Sequence, residues 1–284
     1  MPISKIGVCG CGLMGSGIAE VCAKSGFKTI VREVDEPTLA KGKSRIEGSL
    51  SKAVERGKAT EEQKKQASAN LSFTTKLDDF RDCDIVIEAI IEQMEEKKKL
   101  WKALDASLKP EAICASNTSS LSIVEMASVT KRPGKFIGMH FFNPVPVMKL
   151  VEIVRSIVTS AETFETVKKF AADLGKTVIV AKDAPGFIVN LLLIPYLLDA
   201  VRAVEAGVGT KEDIDAGMTL GCGHPMGPLT LLDFVGLDTT YYIAEAMFAE
   251  FKDTRYAAPP LLKQMVLAGY NGRKAGKGFY DYGK

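Results

Sequence analysis

The chain has 284 residues, of which 46% are hydrophobic and 25% are charged. This composition is typical of a globular protein, and the length suffices for one large domain or two ordinary ones. The 37 basic and 35 acidic residues leave a net charge of +2, which does not favour a nucleic-acid partner. The longest apolar run, residues 187–198, contains Asn190 and Pro195 and is too short to span a bilayer. We therefore expect no membrane segment.

The cysteines and the N-terminal residues indicate in which cellular compartment the protein is expected. The six cysteines form no CxxC pair and have no accompanying histidine cluster, so neither a zinc site nor a disulfide framework is indicated. The chain begins with a strand pattern rather than a charged and then apolar leader, which is not the pattern of a signal peptide. We expect a cytoplasmic protein without a bound metal.

The first elements predict a parallel sheet. Residues 5–9 form a short apolar run that ends at glycines, and helical spacing follows Gly15 as far as Gly26. A second apolar run at 29–31 completes a βαβ unit. Residues 37–65 have a charged helical pattern broken at Gly57, which predicts a helical arm inserted into the sheet domain.

The later elements divide the chain into two parts. The periodicity predicts strands at 71–73, 84–88, 112–116, 135–140, 150–154 and 177–180, with helices at 94–108 and 162–174. After residues 183–186 only helices are predicted, at 188–206, 211–220, 229–235, 241–251 and 260–268. We expect an α/β Rossmann-like dinucleotide-binding domain at 1–183, with a parallel sheet, followed by an all-α domain at 184–284.

A glycine motif follows the first strand, with the sequence Gly10-Cys11-Gly12-Leu13-Met14-Gly15. The first glycine permits a tight turn, the second lets the backbone approach a pyrophosphate, and the third lets the helix pack on the strand. The helix N-terminus then faces the phosphates. The motif predicts dinucleotide binding through Gly10, Gly12, Leu13, Met14 and Gly15, and the alternative is a structural glycine turn.

An acid at the end of the second strand bears on which dinucleotide is bound. Glu33 is placed to accept hydrogen bonds from the adenosine ribose, and its charge repels a 2′-phosphate, so NAD is favoured over NADP. Lys28 and Arg32 complicate this choice, because a guanidinium beside the acid can accommodate a 2′-phosphate. The alternative for Arg32 is a solvated strand residue.

The chain contains two histidines, His140 and His224, as candidate general bases. His140 ends a predicted strand, a loop with two prolines follows, and the next strand carries Glu152. A carboxylate there can hydrogen-bond the imidazole, fix its tautomer and favour its protonated form. A satisfied core histidine is equally compatible with the pattern. His224 lies in a glycine-proline turn and is interpreted as structural.

Four segments carry a resemblance: residues 10–15, ASNTSSL at 115–121, MHFFNPVPVMKLVE at 139–152 and PGFIVN at 185–190. They resemble the 3-hydroxyacyl-CoA dehydrogenase family over the whole chain, and most of all its compact bacterial members that act on 3-hydroxybutyryl-CoA. The resemblance implies NAD-dependent interconversion of short-chain (S)-3-hydroxyacyl-CoA and 3-oxoacyl-CoA.

The resemblance also implies residue roles. His140 removes the proton of the 3-hydroxyl group while hydride passes to C4 of the nicotinamide, and Glu152 holds the imidazolium that forms. Ser119 and Asn190 hydrogen-bond the reacting end of the acyl group, one from each domain, which implies a site between the domains. From the residues alone, Ser119 is equally a turn residue and Asn190 a core polar group of a helix.

Further positions approach the two ligands by the same resemblance. Ser119 and four other residues contact the dinucleotide: Glu92, Lys97, Asn143 and Lys274. The alternative for these four is surface charge. Ser49 and Arg56 of the arm meet coenzyme A, and Arg45, Lys52 and Lys58 add positive charge suited to its phosphates; the alternative is a solvated helix face. Leu191 stands where relatives often carry a basic residue, which puts a contact there in doubt.

Two other functions remain open at this point. Related dehydrogenases act on free 3-hydroxy acids such as gulonate, although the basic arm favours coenzyme A. A noncatalytic NAD-binding protein, of which a lens crystallin of this family is an example, belongs to another class. The resemblance implies a homodimer, and the apolar faces of the helical domain are suited to that contact.

Overall fold

A computed structural model describes residues 3–283 of the chain. The chain divides into two compact units, Met1–Ala184 and Pro185–Lys284. The first unit is built on a sheet and the second on helices. The expected class, a Rossmann-like domain followed by a helical domain, is confirmed.

The first unit contains one eight-stranded sheet in the order β3-β2-β1-β4-β5-β6-β7-β8. Its strands are β1 Lys5–Cys9, β2 Lys28–Arg32, β3 Leu71–Thr74, β4 Ile85–Glu88, β5 Ile113–Ser116, β6 Phe136–Phe141, β7 Leu150–Arg155 and β8 Thr177–Lys182. Most of these strands are buried apolar runs, as expected of a sheet covered on both faces.

The prediction of a parallel sheet is wrong at one pair. Strands β6 and β7 are antiparallel, whereas the other neighbouring strands pair in parallel. Residues 142–149 join β6 to β7, and a connection of this length is too short for the crossover that a parallel pair needs. The reversal sets His140 directly opposite Glu152 in the register.

Six helices accompany the sheet: α1 Leu13–Lys24, α2 Glu36–Glu55, α3 Glu61–Ala69, α4 Met94–Ser107, α5 Ile123–Ala127 and α6 Ala161–Asp173. The predicted arm is the pair α2 and α3, and both helices pack on α1. Thr60 begins α3 with a reciprocal capping box that involves Gln63. At Gly42 of α2, a Cβ atom would come within 2.3 Å of Cys11 Sγ, so a glycine lets α2 approach the glycine motif. The short helix α5 was not predicted.

The second unit contains α7 Val189–Glu205, α8 Lys211–Ala216, α9 Pro228–Val235, α10 Leu237–Phe251 and α11 Pro260–Leu267. The predicted helix at 211–220 ends early, because a wider π turn replaces it over Gly217–Gly221. The C-terminal segment returns to α9, where buried Asp233 accepts hydrogen bonds from Phe279 N (2.9 Å) and Tyr280 N (2.8 Å). Within residues 3–283, no helix is long and apolar enough to cross a membrane.

Candidate active site

The glycine motif forms the turn between β1 and α1. Gly10 has φ +98°, and a Cβ atom there would lie 2.5 Å from the Ala89 carbonyl oxygen. A Cβ atom on Gly15 would lie 1.9 Å from the carbonyl oxygen of Gly10, whereas one on Gly12 would meet nothing within 4 Å. The first-turn N–H groups of α1 have no acceptor inside the helix. The turn therefore presents N–H donors and an open space, which fits a pyrophosphate.

Glu33 lies beside this turn, just after β2. One carboxylate oxygen accepts from Cys11 N at 2.6 Å and the other from Val34 N at 3.0 Å. Arg32 donates from Nε to the Thr75 carbonyl at 3.3 Å, towards the β3 side. Glu33 thus lies at the glycine turn, whereas Arg32, which complicated the choice between NAD and NADP, hydrogen-bonds the Thr75 carbonyl.

His140 and Glu152 form a buried pair across β6 and β7. The distance from His140 Nδ1 to Glu152 Oε2 is 2.6 Å, and the side chains are 8% and 0% exposed. The ring of Phe142 lies against the imidazole, with centroids 4.5 Å apart. Glu152 thus fixes the orientation of the imidazole through Nδ1.

Asn117 joins the end of β5 to the end of β6. Its side-chain oxygen accepts from Phe141 N at 2.9 Å, directly after His140. The ends of β1, β2, β4, β5 and β6 lie at one edge of the sheet. That edge therefore carries the glycine turn, Glu33 and His140, which is where open α/β sheets bind ligands.

Ser119 lies in the loop after β5 and is held by Glu92. One Glu92 oxygen accepts from Ser119 N at 2.9 Å and from Thr118 Oγ1 at 2.5 Å, with Ser119 Oγ at 3.4 Å. Glu92 retains 38% exposure of its side chain. Desolvation opposes ionisation of this carboxyl, but Lys97 and these hydrogen bonds outweigh it and lower the pKa of Glu92.

Lys97 is buried, so its alternative interpretation as a surface charge is wrong. Its side chain is 1% exposed and lies between Glu88, at 2.5 Å, and Glu92, at 3.1 Å. Desolvation lowers the pKa of the ammonium, but the two carboxylates outweigh it and raise that pKa above its ordinary value. Glu88 was not identified from the sequence as a residue of this cluster. An acidic residue at the end of an apolar strand is the pattern that could have indicated it.

The other proposed dinucleotide contacts are more exposed. Asn143 lies in the loop between β6 and β7, whose Val145 and Met148 carbonyls accept from Lys176 Nζ at 2.5 and 2.7 Å. Lys274 belongs to the second unit, where its Nζ lies 2.6 Å from Asp238.

The proposed coenzyme A contacts share one face of α2 and its end. Arg45, Ser49 and Arg56 are spaced by four and seven residues, which places them on one side of a helix. Arg45 donates to the Cys11 carbonyl at 3.1 Å. Burial raises the pKa of the Glu20 carboxyl, and Ser49 beside it partly offsets that rise. Arg56 is exposed at the end of the helix, as are Lys52 and Lys58 of the same segment.

The second unit contains two further candidate site residues, Asn190 and His224. Asn190 lies in the first turn of α7 and is 8% exposed. His224 Nδ1 lies 3.0 Å from the Tyr196 hydroxyl, which is a structural partner on the same unit. Across residues 3–283, no group of three or more His, Cys, Asp or Glu side chains is arranged to hold a metal ion.

Comparison with known proteins identifies what the chain resembles. The family described as 3-hydroxyacyl-CoA dehydrogenase, NAD binding domain, matches residues 5–184, and that family's C-terminal domain matches residues 186–282. A 3-hydroxybutyryl-CoA dehydrogenase of Mycobacterium tuberculosis is 49% identical over 282 residues, covering 99% of each chain. The crystal structure of M. tuberculosis FadB2 matches with a TM-score of 0.98 at 48% identity over 100% of each chain. That of (S)-3-hydroxybutyryl-CoA dehydrogenase PaaH1 from Ralstonia eutropha has a TM-score of 0.95 at 43% identity, covering 99% of this chain and 100% of the other.

Proposed function

Because the chain belongs to the 3-hydroxyacyl-CoA dehydrogenase family, we propose that this NAD-binding enzyme oxidises short-chain (S)-3-hydroxyacyl-CoA and reduces 3-oxoacyl-CoA. The main pair is 3-hydroxybutyryl-CoA and acetoacetyl-CoA, as the names of its relatives suggest. The observation that carries the proposal is the buried His140–Glu152 pair at 2.6 Å. It lies on the sheet that also carries the glycine turn.

The dinucleotide belongs at the glycine turn of the unit that we propose to end at residue 183. Gly12 and the first-turn N–H groups at Leu13, Met14 and Gly15 hold the pyrophosphate, and Glu33 holds the adenosine ribose. Glu92, Lys97, Ser119, Asn143 and Lys274 contact the rest of the cofactor. The bound nicotinamide supplies the chemistry of hydride acceptance and donation.

His140 is the general base of the oxidation and the general acid of the reduction. Its Nε2 removes the proton of the substrate 3-hydroxyl, and Glu152 stabilises the imidazolium through Nδ1. In the reverse direction the same nitrogen donates that proton to the carbonyl oxygen. Ser119 and Asn190 donate hydrogen bonds to the reacting end of the acyl group, which orients it and stabilises the charge that develops on oxygen.

Coenzyme A is bound by the arm, through Ser49 and Arg56 with support from the neighbouring lysines. A free-acid substrate would have no use for these residues. We expect wild-type enzyme to oxidise NADH with acetoacetyl-CoA and not with free acetoacetate. If acetoacetyl-CoA supports no oxidation of NADH or NADPH, the proposed function is wrong.

Replacing Arg56 by Ala tests the role of the arm. Loss of one exposed charge contact to a phosphate raises KM for acetoacetyl-CoA by about threefold to tenfold, with kcat changed by less than about twofold. Steady-state kinetics at low ionic strength measures both values. Lys169→Ala is the matched control, because Lys169 is an exposed helical cation of α6 paired only locally with Asp173. Equal KM values for the two variants would contradict the assignment of coenzyme A to the arm.

We also propose that the helical unit, residues 184–284, forms the contact of a homodimer. Several large apolar side chains of this unit are exposed: Leu192 66%, Leu220 87%, Phe234 51% and Tyr242 66%. Such residues are more common at protein interfaces than on a monomer surface. Sedimentation equilibrium should give twice the chain mass of 30.7 kDa, and a monomer at micromolar concentration would rule the dimer out.

A further inference from the structure

Glu88 is a buried acid with no role in the reaction described so far. It ends β4 and is 0% exposed. Its neighbours in the sheet register are Cys9 on β1 and Ser116 on β5. A fully buried carboxylate in a strand is costly unless it is paired and hydrogen-bonded.

The carboxylate of Glu88 is both paired and hydrogen-bonded. One oxygen accepts from Lys97 Nζ at 2.5 Å and from Ile90 N at 2.8 Å, and the other accepts from Ser116 Oγ at 2.6 Å. The three donors come from a helix, a loop and a strand. Glu88 therefore anchors all three to the end of β4.

The contacts continue from Glu88 towards the candidate site. Lys97 binds Glu92 at 3.1 Å, and Glu92 binds Ser119 N at 2.9 Å. A second route runs through Ser116, whose hydroxyl oxygen accepts from Thr118 N at 3.2 Å. Both routes end on the loop that carries Ser119.

We propose that Glu88 is a positioning residue for the bound dinucleotide, because it holds Lys97 and Ser116 and thereby sets Glu92 and the Ser119 loop. Glu88 does not itself touch the cofactor. The inference rests on the proposed roles of Glu92, Lys97 and Ser119 as dinucleotide contacts. Without the Glu88 charge, Lys97 is drawn towards Glu92 alone, and both side chains leave the positions that receive the cofactor.

The test is Glu88→Gln, which keeps the shape of the side chain and removes its charge. A glutamine oxygen can still accept from Lys97 and Ile90, and its NH₂ group can donate to Ser116. We expect the Kd for NADH, measured by fluorescence, to rise by about tenfold, in line with the weakening of hydrogen bonds to charged groups. KM for NADH should rise in parallel with this Kd.

Asp105→Asn is the matched control. Asp105 lies on α4, the same helix as Lys97, and forms a largely but not fully buried ion pair with Arg132 Nε at 2.6 Å. Its loss lowers stability without reaching the candidate site. If Glu88→Gln and Asp105→Asn lower the melting temperature alike and leave the Kd for NADH unchanged, Glu88 is only structural and the proposal is overturned.

Ser116→Ala decides the question if Glu88→Gln does not fold. This variant removes one hydrogen bond to Glu88 and the acceptor for Thr118 N, and it should raise the Kd for NADH by about threefold. An unchanged Kd would overturn the proposal. The fluorescence readout needs no acyl-CoA, so an enzyme that fails to reduce acetoacetyl-CoA would refute the proposed function and leave this comparison valid.

Discussion

Replacing His140 by Gln lowers kcat by about 10³-fold and leaves the Kd for NADH within about twofold of wild type. Glutamine cannot take up or deliver a proton, and positioned general acid–base groups contribute on the order of 10²- to 10⁴-fold. The substitution does not touch the glycine turn, where we propose that the dinucleotide binds. Stopped-flow reduction of acetoacetyl-CoA measures the first quantity, and NADH fluorescence the second.

The second histidine of the chain provides the control. His224→Gln removes an imidazole that hydrogen-bonds Tyr196, and it should leave kcat within about twofold, since a residue outside the transition state contributes little to that constant. A His140→Gln enzyme that keeps more than about one tenth of wild-type kcat would show that another group moves the proton.

Replacing Gly12 by Ala should reduce the affinity for NADH by about 30-fold while the protein remains folded. A Cβ atom at this position meets nothing within 4 Å in the protein, so the free energy of unfolding should change by no more than about 0.5 kcal/mol. The same methyl group occupies the space into which the pyrophosphate must fit, and overpacking of this kind costs about 2 kcal/mol. Fluorescence titration and thermal unfolding of the same sample measure both effects.

Gly15→Ala is the informative counterpart. Its methyl group would lie 1.9 Å from the Gly10 carbonyl oxygen, so the turn itself must deform, and both stability and NADH affinity should fall. If Gly12→Ala binds NADH as tightly as wild type, the open space at Gly12 is not where the dinucleotide lies.

Some parts of the fold followed from local pattern. The glycine motif, the strand before it and the helix after it are all encoded within residues 5–24, where backbone sterics and hydrophobic periodicity decide the structure. The break at Gly57 likewise separates α2 from α3. The change from strands to helices after Asp183 was visible because the period of the apolar residues changes there.

Strand direction did not follow from periodicity, because a buried parallel strand and a buried antiparallel strand have the same apolar pattern. The short connection between β6 and β7 carries the information that their direction reverses, because a parallel pair needs a longer crossover. That reversal places the side chains of His140 and Glu152 in register. The sequence predicted a hydrogen bond between Glu152 and His140 on neighbouring strands, whereas the register that sets the two residues directly opposite each other required the topology.

Lys97 illustrates the same limit for charge. Within its helix it stands among other charged residues, a pattern that usually means a solvated face, yet it is 1% exposed and paired with Glu88 and Glu92. A charged side chain is buried only where side chains of other elements pair with it. The local sequence pattern does not show those partners.

The glycine motif, Glu33 and the division into a sheet domain and a helical domain could be predicted from the sequence alone. Close backbone approach and apolar periodicity depend on neighbouring positions in the chain, so the sequence records them. The contact of Glu33 with Cys11, the pairing of His140 with Glu152 and the chain of contacts from Glu88 to Ser119 were decided by the sheet. Its strand order brings together chain segments that are far apart in the sequence, and the electrostatic environment of each group exists only after they meet.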